Sequence, residues 1–226
     1  MSSPETCWTA LRSAAAGGES ERASFSELYL PVVRASLTAR WRGGPLEGEV
    51  DDAVQEVLVE CLRDGGILER AVERADRGFR AWLYGATRNV ARRFEERRWR
   101  REDAPGADTF RGDEREAADT SLSGVFDREW ARGLVRAARE LLVQKADAAS
   151  EAARRRVELL RLRFFDDLPI REIAKRWDED PARVHHEYAA ARKEFLGALR
   201  EVVAFHNPDS TPSDVDRELQ LVLGGL

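Results

Sequence analysis

Residues 79–101 read FRAWLYGATRNVARRFEERRWRR, and this stretch decides the fold class. Its apolar side chains recur every three or four positions, which predicts one buried side of an α-helix. The side chains in this stripe are Phe79, Trp82, Leu83, Ala86, Val90 and Phe94. The same spacing extends over most of the 226 residues, while the alternation typical of strands is almost absent. We therefore predict an all-α protein, rich in the helix formers Ala, Arg, Leu and Glu.

Two helical blocks follow from this pattern, at residues 25–101 and 125–204. The connector between them, residues 102–124, is acidic and poor in large apolar residues, so we predict a flexible linker. Residues 1–24 form an extension without an informative pattern, and residues 205–226 form a short tail. In the tail, Ser213 and Asp216 fit a capping box ahead of an apolar stripe. The stripe consists of Leu219, Val222 and Leu223.

The second block predicts a helix-turn-helix domain. The block begins with a helical stripe that includes Phe126, Trp130 and Leu134, and a helix with Val157, Leu160, Phe164 and Phe165 as its apolar residues follows. A short helix at about residues 170–177 then ends in a turn, where Asp180 is suited to cap the next helix and Pro181 to begin it. That last helix is long, with apolar residues at helical spacing from Val184 to Val202.

Charge is strongly segregated along a chain whose formal net charge is −5. Residues 85–101 contain seven arginines and two glutamates, whereas residues 102–124 contain seven acidic residues and two arginines. Local patches of this kind, and not the total, set the field that a phosphate backbone feels. The arginine run is consistent either with DNA binding or with a solvated helix surface.

Several classes of protein do not fit the sequence. His185, His186 and His206 lack zinc-like spacing, and two cysteines, Cys7 and Cys61, are too few for a cysteine zinc site or a disulfide framework. Neither a glycine-rich phosphate loop nor a nucleophile motif is present, so we predict a protein that is not an enzyme and needs no metal or cofactor. No apolar run is long enough to span a bilayer and no secretory signal is recognisable, so we predict a cytoplasmic protein without membrane insertion.

Four motifs in a fixed order resemble the extracytoplasmic-function (ECF) sigma factor family of RNA polymerase. Residues 52–58, DAVQEVL, are similar to the family's DLVQEVF motif, and FRAWL at residues 79–83 with RNVA at residues 88–91 is similar to its WL…RNVA motif. In the second block, LLRLRFFDDL at residues 159–168 and IREIA at residues 170–174 resemble the family's leucine-rich helix and its SYEEIA segment. The resemblance covers residues 25–101 and 128–203, and it implies a factor that brings RNA polymerase to promoters and opens the DNA.

The resemblance implies a docking surface for the polymerase on the helix around residue 52. In the family, the polar face of this helix binds the clamp helices of the beta-prime subunit, while the second block binds the beta flap. The corresponding polar residues here are Asp51, Asp52, Gln55 and Glu56. From the residues alone, a solvated helix face explains the same pattern.

The resemblance also implies that the arginine-rich helix meets the minus-ten element of the promoter. Arginines neutralise phosphates, and flipped bases need stacking and edge contacts. In the family, the loop before this helix, here residues 65–78, helps to form the base pocket. The residues assigned to this contact are Arg88, Asn89, Arg92, Arg93, Arg97, Arg98, Trp99 and Arg101. Asn89 and Trp99 are the candidates for base contact.

The last helix of the second block corresponds to the family's reader of the minus-thirty-five element, which lies in the major groove. Its candidate contacts are Arg183, His185, His186, Glu187, Arg192 and Lys193. Where many members have GTVKSR, this chain has ARVHHE at residues 182–187, and it carries Glu179 where an apolar residue is usual. The expected consequence is weak, unusual or partner-dependent promoter reading, although Glu187 is able to accept a hydrogen bond from a cytosine amino group.

Two rival functions remain open at this point. A sigma-like adaptor or decoy that binds polymerase without reading promoters is compatible with the altered last helix. An ordinary helix-turn-helix regulator is also conceivable, but it leaves the motif at residues 52–58 unexplained. An anti-sigma protein or another regulator is a further partner of the kind that the resemblance allows. The acidic connector is either a plain tether or, as in the family, a segment directed toward the RNA exit channel, and the tail either masks the second block or is idle.

Overall fold

The computed structural model describes residues 16, 18–63, 66, 78–101, 110–206 and 210–224. Eight α-helices occupy these residues, and the described part of the chain contains no β-strand. The helices are α1 (Glu19–Trp41), α2 (Val50–Leu62), α3 (Gly78–Arg101), α4 (Phe110–Ala149), α5 (Glu151–Phe164), α6 (Ile170–Trp177), α7 (Pro181–His206) and α8 (Pro212–Gly224), with a short 3₁₀ helix (Glu47–Glu49) before α2. The all-α prediction is confirmed.

Helices α1, α2 and α3 pack against one another and form the core beneath the first candidate surface. α1 begins at Glu19, six residues before the predicted start, and ends at Trp41, where Gly43 takes a φ of +68° that suits glycine. The predicted stripe of α3 is buried except for Trp82, which is half-buried. α2 contributes Val50, Ala53, Val54, Val57 and Cys61 to the core.

An aromatic cluster joins α1, α3, α4 and the end of α7. The Tyr29 ring lies 4.9 Å from the Phe79 ring and stacks on Trp130 at 5.6 Å. His206 is 3% exposed, and its Nε2 lies 2.8 Å from the Tyr29 hydroxyl. Aromatic pairs at these separations stabilise a core beyond the area that they bury.

The chain divides into two compact units, residues 1–133 with 205–226 and residues 134–204. The predicted flexible linker is wrong over residues 110–124, which form the first part of α4, while residues 102–109 lie outside the described residues. Leu122 is fully buried within this segment, and Asp119 is bonded to three arginines. Composition suggested a tether because it does not reveal that an acidic residue has a cationic partner elsewhere in the chain.

The tail forms helix α8 and belongs to the first unit. Its capping box is Thr211 with Asp214, and not Ser213 with Asp216: the Asp214 amide donates to Thr211 Oγ1 at 3.3 Å, and the Thr211 amide donates to the Asp214 carboxylate at 3.2 Å. Val215, Leu219 and Val222 are buried. The described part of the tail is therefore a helix that groups with the first unit.

Within the second unit, α5, α6 and the first turns of α7 share one apolar core. Its buried members are Leu159, Leu162, Ile173, Ala174 and Val184. Phe164 and Phe165, which the sequence places among the apolar residues of this helix, are 63% and 69% exposed. Leu159 and Leu162 define the buried side of α5, and a residue five positions beyond Leu159 lies about 140° around the helix from it.

Candidate nucleic-acid and partner-binding surfaces

The exposed side of α2 carries most of the residues predicted to bind polymerase. Asp51, Asp52 and Gln55 are exposed, and Asp51 forms an ion pair with Arg34 of α1. Val59, which sequence reasoning missed, is 62% exposed on the same side, seven residues after Asp52. Because seven residues make two helical turns, this spacing was available from the sequence. The result is a polar face with one apolar side chain in its middle.

Glu56 of α2 does not share this exposed face, because it is bonded to α3. Its carboxylate accepts hydrogen bonds from Arg97 at 3.1–3.3 Å and lies 3.0 Å from Arg93 Nη2. Arg93 also lies 3.3 Å from Glu60. A residue predicted to bind polymerase thus contacts two residues predicted to bind DNA. These half-exposed pairs fix the register of α2 on α3 but contribute only about 0–1 kcal/mol each.

A second set of arginines converges on Asp119 of α4, and we call Arg40, Arg88 and Arg92 the arginine clamp. Arg88 Nε lies 2.8 Å and Arg92 Nη2 2.5 Å from Asp119 Oδ2, while Arg40 Nη1 lies 2.9 Å from Oδ1. Burial acts to raise the pKa of Asp119, but the hydrogen bonds from Arg88, Arg92 and Arg40 outweigh it and hold the pKa below its usual value.

Glu95 holds the buried end of the arginine clamp. The Arg40 side chain is only 1% exposed, and it donates to Glu95 from Nε at 2.6 Å and from Nη2 at 3.0 Å. Trp41 Nε1 also donates to Glu95, at 3.0 Å. Burial acts to lower the pKa of Arg40, and the two carboxylates raise it above its ordinary value. Arg40 and Glu95 were not among the predicted site residues, because their pairing spans 55 residues of chain.

The remaining residues of α3 differ in exposure. Asn89 is exposed, as is Arg100, whose side chain is 81% exposed. Arg98 and Trp99 are half-buried, and the side chain of Arg101 lies outside the described residues. Of the predicted pocket loop, residues 65 and 67–77 are likewise outside, so the base pocket stays a prediction.

In the second unit, α6 and α7 are joined by a turn of three residues. Asp178 takes the left-handed conformation that ends α6, and its amide donates to the carbonyls of Ala174 and Lys175. Asp180 Oδ1 accepts from the Ala182 amide at 3.0 Å, so the predicted cap of α7 is confirmed. Glu179 lies 2.8 Å from Arg155 and 3.3 Å from Arg183, which explains why a charge is tolerated in this turn.

The candidate contacts on α7 fall into two groups. Arg183, His185, His186, Arg192 and Lys193 are exposed, and Arg192 lies over the Tyr188 ring at 5.9 Å. Glu187 instead turns toward α5, where its carboxylate lies 3.7 Å from Arg156. Arg156 also binds Glu194 at 2.7 Å, and these carboxylates raise its pKa against the opposing effect of desolvation. Among the candidate contacts, Glu187 is therefore the one already engaged by α5.

An aromatic patch lies at the end of α5. Phe164 is 6.3 Å from the Tyr188 ring, and Arg139 lies over the Phe165 ring at 5.0 Å. Exposed phenylalanines rimmed by charge are typical of protein interaction sites. The sequence places both residues among the apolar residues of a helix and does not predict that they are exposed.

Over the described parts of the chain, no group of three or more His, Cys, Asp or Glu side chains is arranged to hold a metal ion. No helix in those parts is long and apolar enough to cross a membrane. What these features define is an all-α protein with two compact units, each carrying a surface of exposed cations. Comparisons with protein-family models, curated proteins and solved structures give no match.

Proposed function

We propose that the protein is an ECF-type sigma factor, which binds the RNA polymerase core and directs it to promoter DNA. The observation that carries this proposal is the pairing of two unlike surfaces on adjacent helices. α2 exposes Asp52, Gln55 and Val59, while α3, packed against it, carries the arginines and the exposed Asn89. A protein that holds a polymerase and a nucleic acid together needs such a pair of neighbouring surfaces.

The proposal gives each unit its own contact. In the first unit, the exposed side of α2 binds the beta-prime clamp helices, and α3 binds minus-ten DNA. In the second unit, α6 and α7 act as a helix-turn-helix domain, with the exposed cations of α7 on the minus-thirty-five element and the aromatic patch on the beta flap. The short turn, the Asp180 cap and the exposed His185, His186 and Lys193 support this assignment.

Reconstitution with core polymerase on a library of random promoters tests the proposal. We expect the wild-type chain to bind core and to select a two-part promoter from the library. Replacing Asp52 and Gln55 together with Ala should weaken core binding at least about tenfold, as loss of central interface contacts does. The matched control is Glu172→Ala, an exposed acidic residue of α6. Wild-type protein that ignores core polymerase at low salt contradicts the proposal.

The second candidate function is an adaptor or decoy that binds core polymerase without reading promoters. It is favoured by the internal pairing of Arg88, Arg92 and Arg97 with carboxylates, and by the contact of Glu187 with Arg156. Core binding without any enriched promoter in the same library experiment would support this candidate. Binding to DNA but not to core would point instead to an ordinary DNA-binding regulator.

A further inference from the structure

We propose that the arginine clamp is a subsite for one backbone phosphate of a nucleic acid, and that the Asp119 carboxylate occupies it as an internal competitor. The inference rests on the proposed function only in taking nucleic acid as the ligand. It adds a buried contributor, Arg40, and a negative regulator, Asp119, neither of which the sequence indicated.

The geometry of the clamp is that of a site for a small oxyanion. Arg88 and Arg92 lie one helical turn apart on α3, and both donate to the same oxygen of Asp119, at 2.8 and 2.5 Å. Arg40 donates to the other oxygen at 2.9 Å. A phosphodiester also presents two anionic oxygens, and the forked guanidinium group binds carboxylate and phosphate in the same way. The Asp119 oxygens therefore mark positions that phosphate oxygens fit.

The charges of the site favour the binding of an anion. Three arginines of the clamp face two carboxylates, Glu95 and Asp119, which leaves one positive charge in excess while Asp119 is in place. Arg92 Nε is buried and has no hydrogen-bond partner in the described structure. The side chains of Arg88 and Arg92 are each 38% exposed, which gives a ligand access from the solvent.

The clamp is built to persist when Asp119 leaves. Arg40 keeps two hydrogen bonds to Glu95, and Glu95 keeps the bond from Trp41. The buried Arg40 guanidinium therefore keeps a partner. A buried charge that loses its only partner is strongly destabilising, and that situation does not arise here. The competing explanation is that Asp119 only ties α4 to α1 and α3, which predicts a loss of stability and no gain in affinity.

The Asp119→Asn variant of the full chain separates these explanations. The probe is a fluorescein-labelled single-stranded oligonucleotide of 20 mixed bases, and its anisotropy is measured at low salt without polymerase. We expect the Kd of Asp119→Asn to be about three- to tenfold lower than that of the wild type, the gain from about one added charge-assisted contact. An unchanged or higher Kd overturns the inference, and so does the absence of binding by any variant.

Asp127→Asn is the matched control. Asp127 also lies on α4, and it also pairs with an arginine of α3, Arg80, outside the clamp. The Asp127→Asn substitution removes the same charge and an ion pair between the same helices, so a general electrostatic effect would act on both variants. We expect its Kd to stay within about twofold of the wild type, and an equal gain in both variants overturns the inference.

A measurement on the wild-type protein covers the case in which Asp119→Asn does not fold. The resonance of the Asp119 side-chain carboxyl carbon is followed by NMR at pH 7 as the oligonucleotide is added. Displacement by phosphate shifts this resonance and leaves that of Asp127 in place, whereas an unmoved Asp119 resonance at saturation overturns the inference. Neither experiment needs polymerase. Failure of the protein to bind core polymerase would therefore contradict the proposed function alone. Promoter-directed transcription, together with an unchanged oligonucleotide Kd in Asp119→Asn and an unmoved Asp119 resonance, would contradict the inference alone.

Discussion

Asp180 shows how one side chain sets the start of a functional helix. Its carboxylate accepts the amide of Ala182, one of the four amides that the first turn of α7 leaves without a partner in the helix. The sequence was sufficient to find this cap, because Asp180 and the amide that donates to it lie two residues apart and Pro181 follows Asp180 directly. Local chemistry of this kind is read directly from neighbouring letters.

Replacing Asp180 with Ala should lower the free energy of unfolding by about 1 kcal/mol, the usual effect of losing a helix cap. Urea unfolding of the full chain, followed by circular dichroism, measures the change. Lys175→Ala, an exposed substitution of α6 in the same unit, is the control and should change the free energy by no more than about 0.5 kcal/mol. A loss no larger than that of the control would show that the cap does not stabilise α7.

Asp119 makes stability depend on pH in a defined direction. Because its pKa is lower in the folded chain, the ionised carboxylate stabilises the fold above its unfolded pKa of about 3.9, and this contribution is lost as pH falls through the folded pKa. The difference in melting temperature between wild type and Asp119→Asn should therefore be constant between about pH 5 and pH 7, and shrink below about pH 4. A difference that is independent of pH down to about pH 2 would contradict the assigned ion pairs.

The role of Asp119 could not be predicted from the sequence. Its partners Arg40, Arg88 and Arg92 lie 79, 31 and 27 residues away, and only the folded chain brings them together. Composition placed Asp119 in an acidic tether for the same reason. Ion pairs between distant elements are the part of the site that local patterns do not contain.

At the scale of the element, α3 illustrates how unequal a row of arginines becomes after folding. Arg97 lies 3.1 Å from Glu56 of α2. Arg100, in contrast, is 81% exposed, and its ion pair with Glu96 of the same helix is longer, at 3.9 Å. An arginine already neutralised by a carboxylate has less to gain from a phosphate. The sequence was sufficient to predict α3 and its apolar stripe, but it did not show which arginines of α3 form ion pairs and which remain exposed.

Arg100→Ala should weaken oligonucleotide binding more than Arg97→Ala. If Arg100 contacts one phosphate, its loss reduces the slope of log affinity against log salt by about 0.7 on a single strand. Anisotropy titrations over a range of salt concentrations measure both quantities, with Arg128→Ala on α4 as the charge-matched control. Equal effects of Arg97→Ala and Arg100→Ala would contradict the difference that the ion pairs impose.

Helix α5 shows where an apolar pattern misleads. Leu159 and Leu162 lie in the stretch that resembles a leucine-rich helix and are buried, whereas Phe164 and Phe165, named among the apolar residues of the predicted helix, are exposed. An apolar side chain near the end of a helix is placed by the direction in which the chain leaves it. Here the chain turns at Asp167, which takes a φ of +49°, and leaves both rings outside.

At the scale of the whole molecule, the first unit is assembled from both ends of the described chain. Residues 205–226 group with residues 1–133, although the whole second unit lies between them in sequence. The helical character of both blocks could be predicted from periodicity and turns. Which helix belongs to which unit depends on tertiary packing, and the sequence of the tail does not show that it groups with the first unit.

Leu219→Ala tests whether the tail is part of the first unit's core. Leu219 is 6% exposed, so its truncation should lower the free energy of unfolding by about 2–5 kcal/mol. Leu221, two residues along the same helix and 65% exposed, provides the control, and Leu221→Ala should change the free energy by no more than about 0.5 kcal/mol. Thermal and urea unfolding followed by tryptophan fluorescence measure both variants. Equal small effects would mean that α8 is not integral to the fold.

The carboxylates bonded to α3 have a thermodynamic consequence. An arginine in water gathers mobile chloride, and mobile sodium surrounds nucleic acid; the freeing of such ions is a large entropic drive for association. Arg88, Arg92, Arg93 and Arg97 already hold carboxylates of their own chain, which cannot diffuse away. A polyanion that binds this helix therefore displaces carboxylates that stay attached to the protein and releases few mobile anions. Calorimetry should record a smaller favourable entropy of binding than the number of arginines suggests.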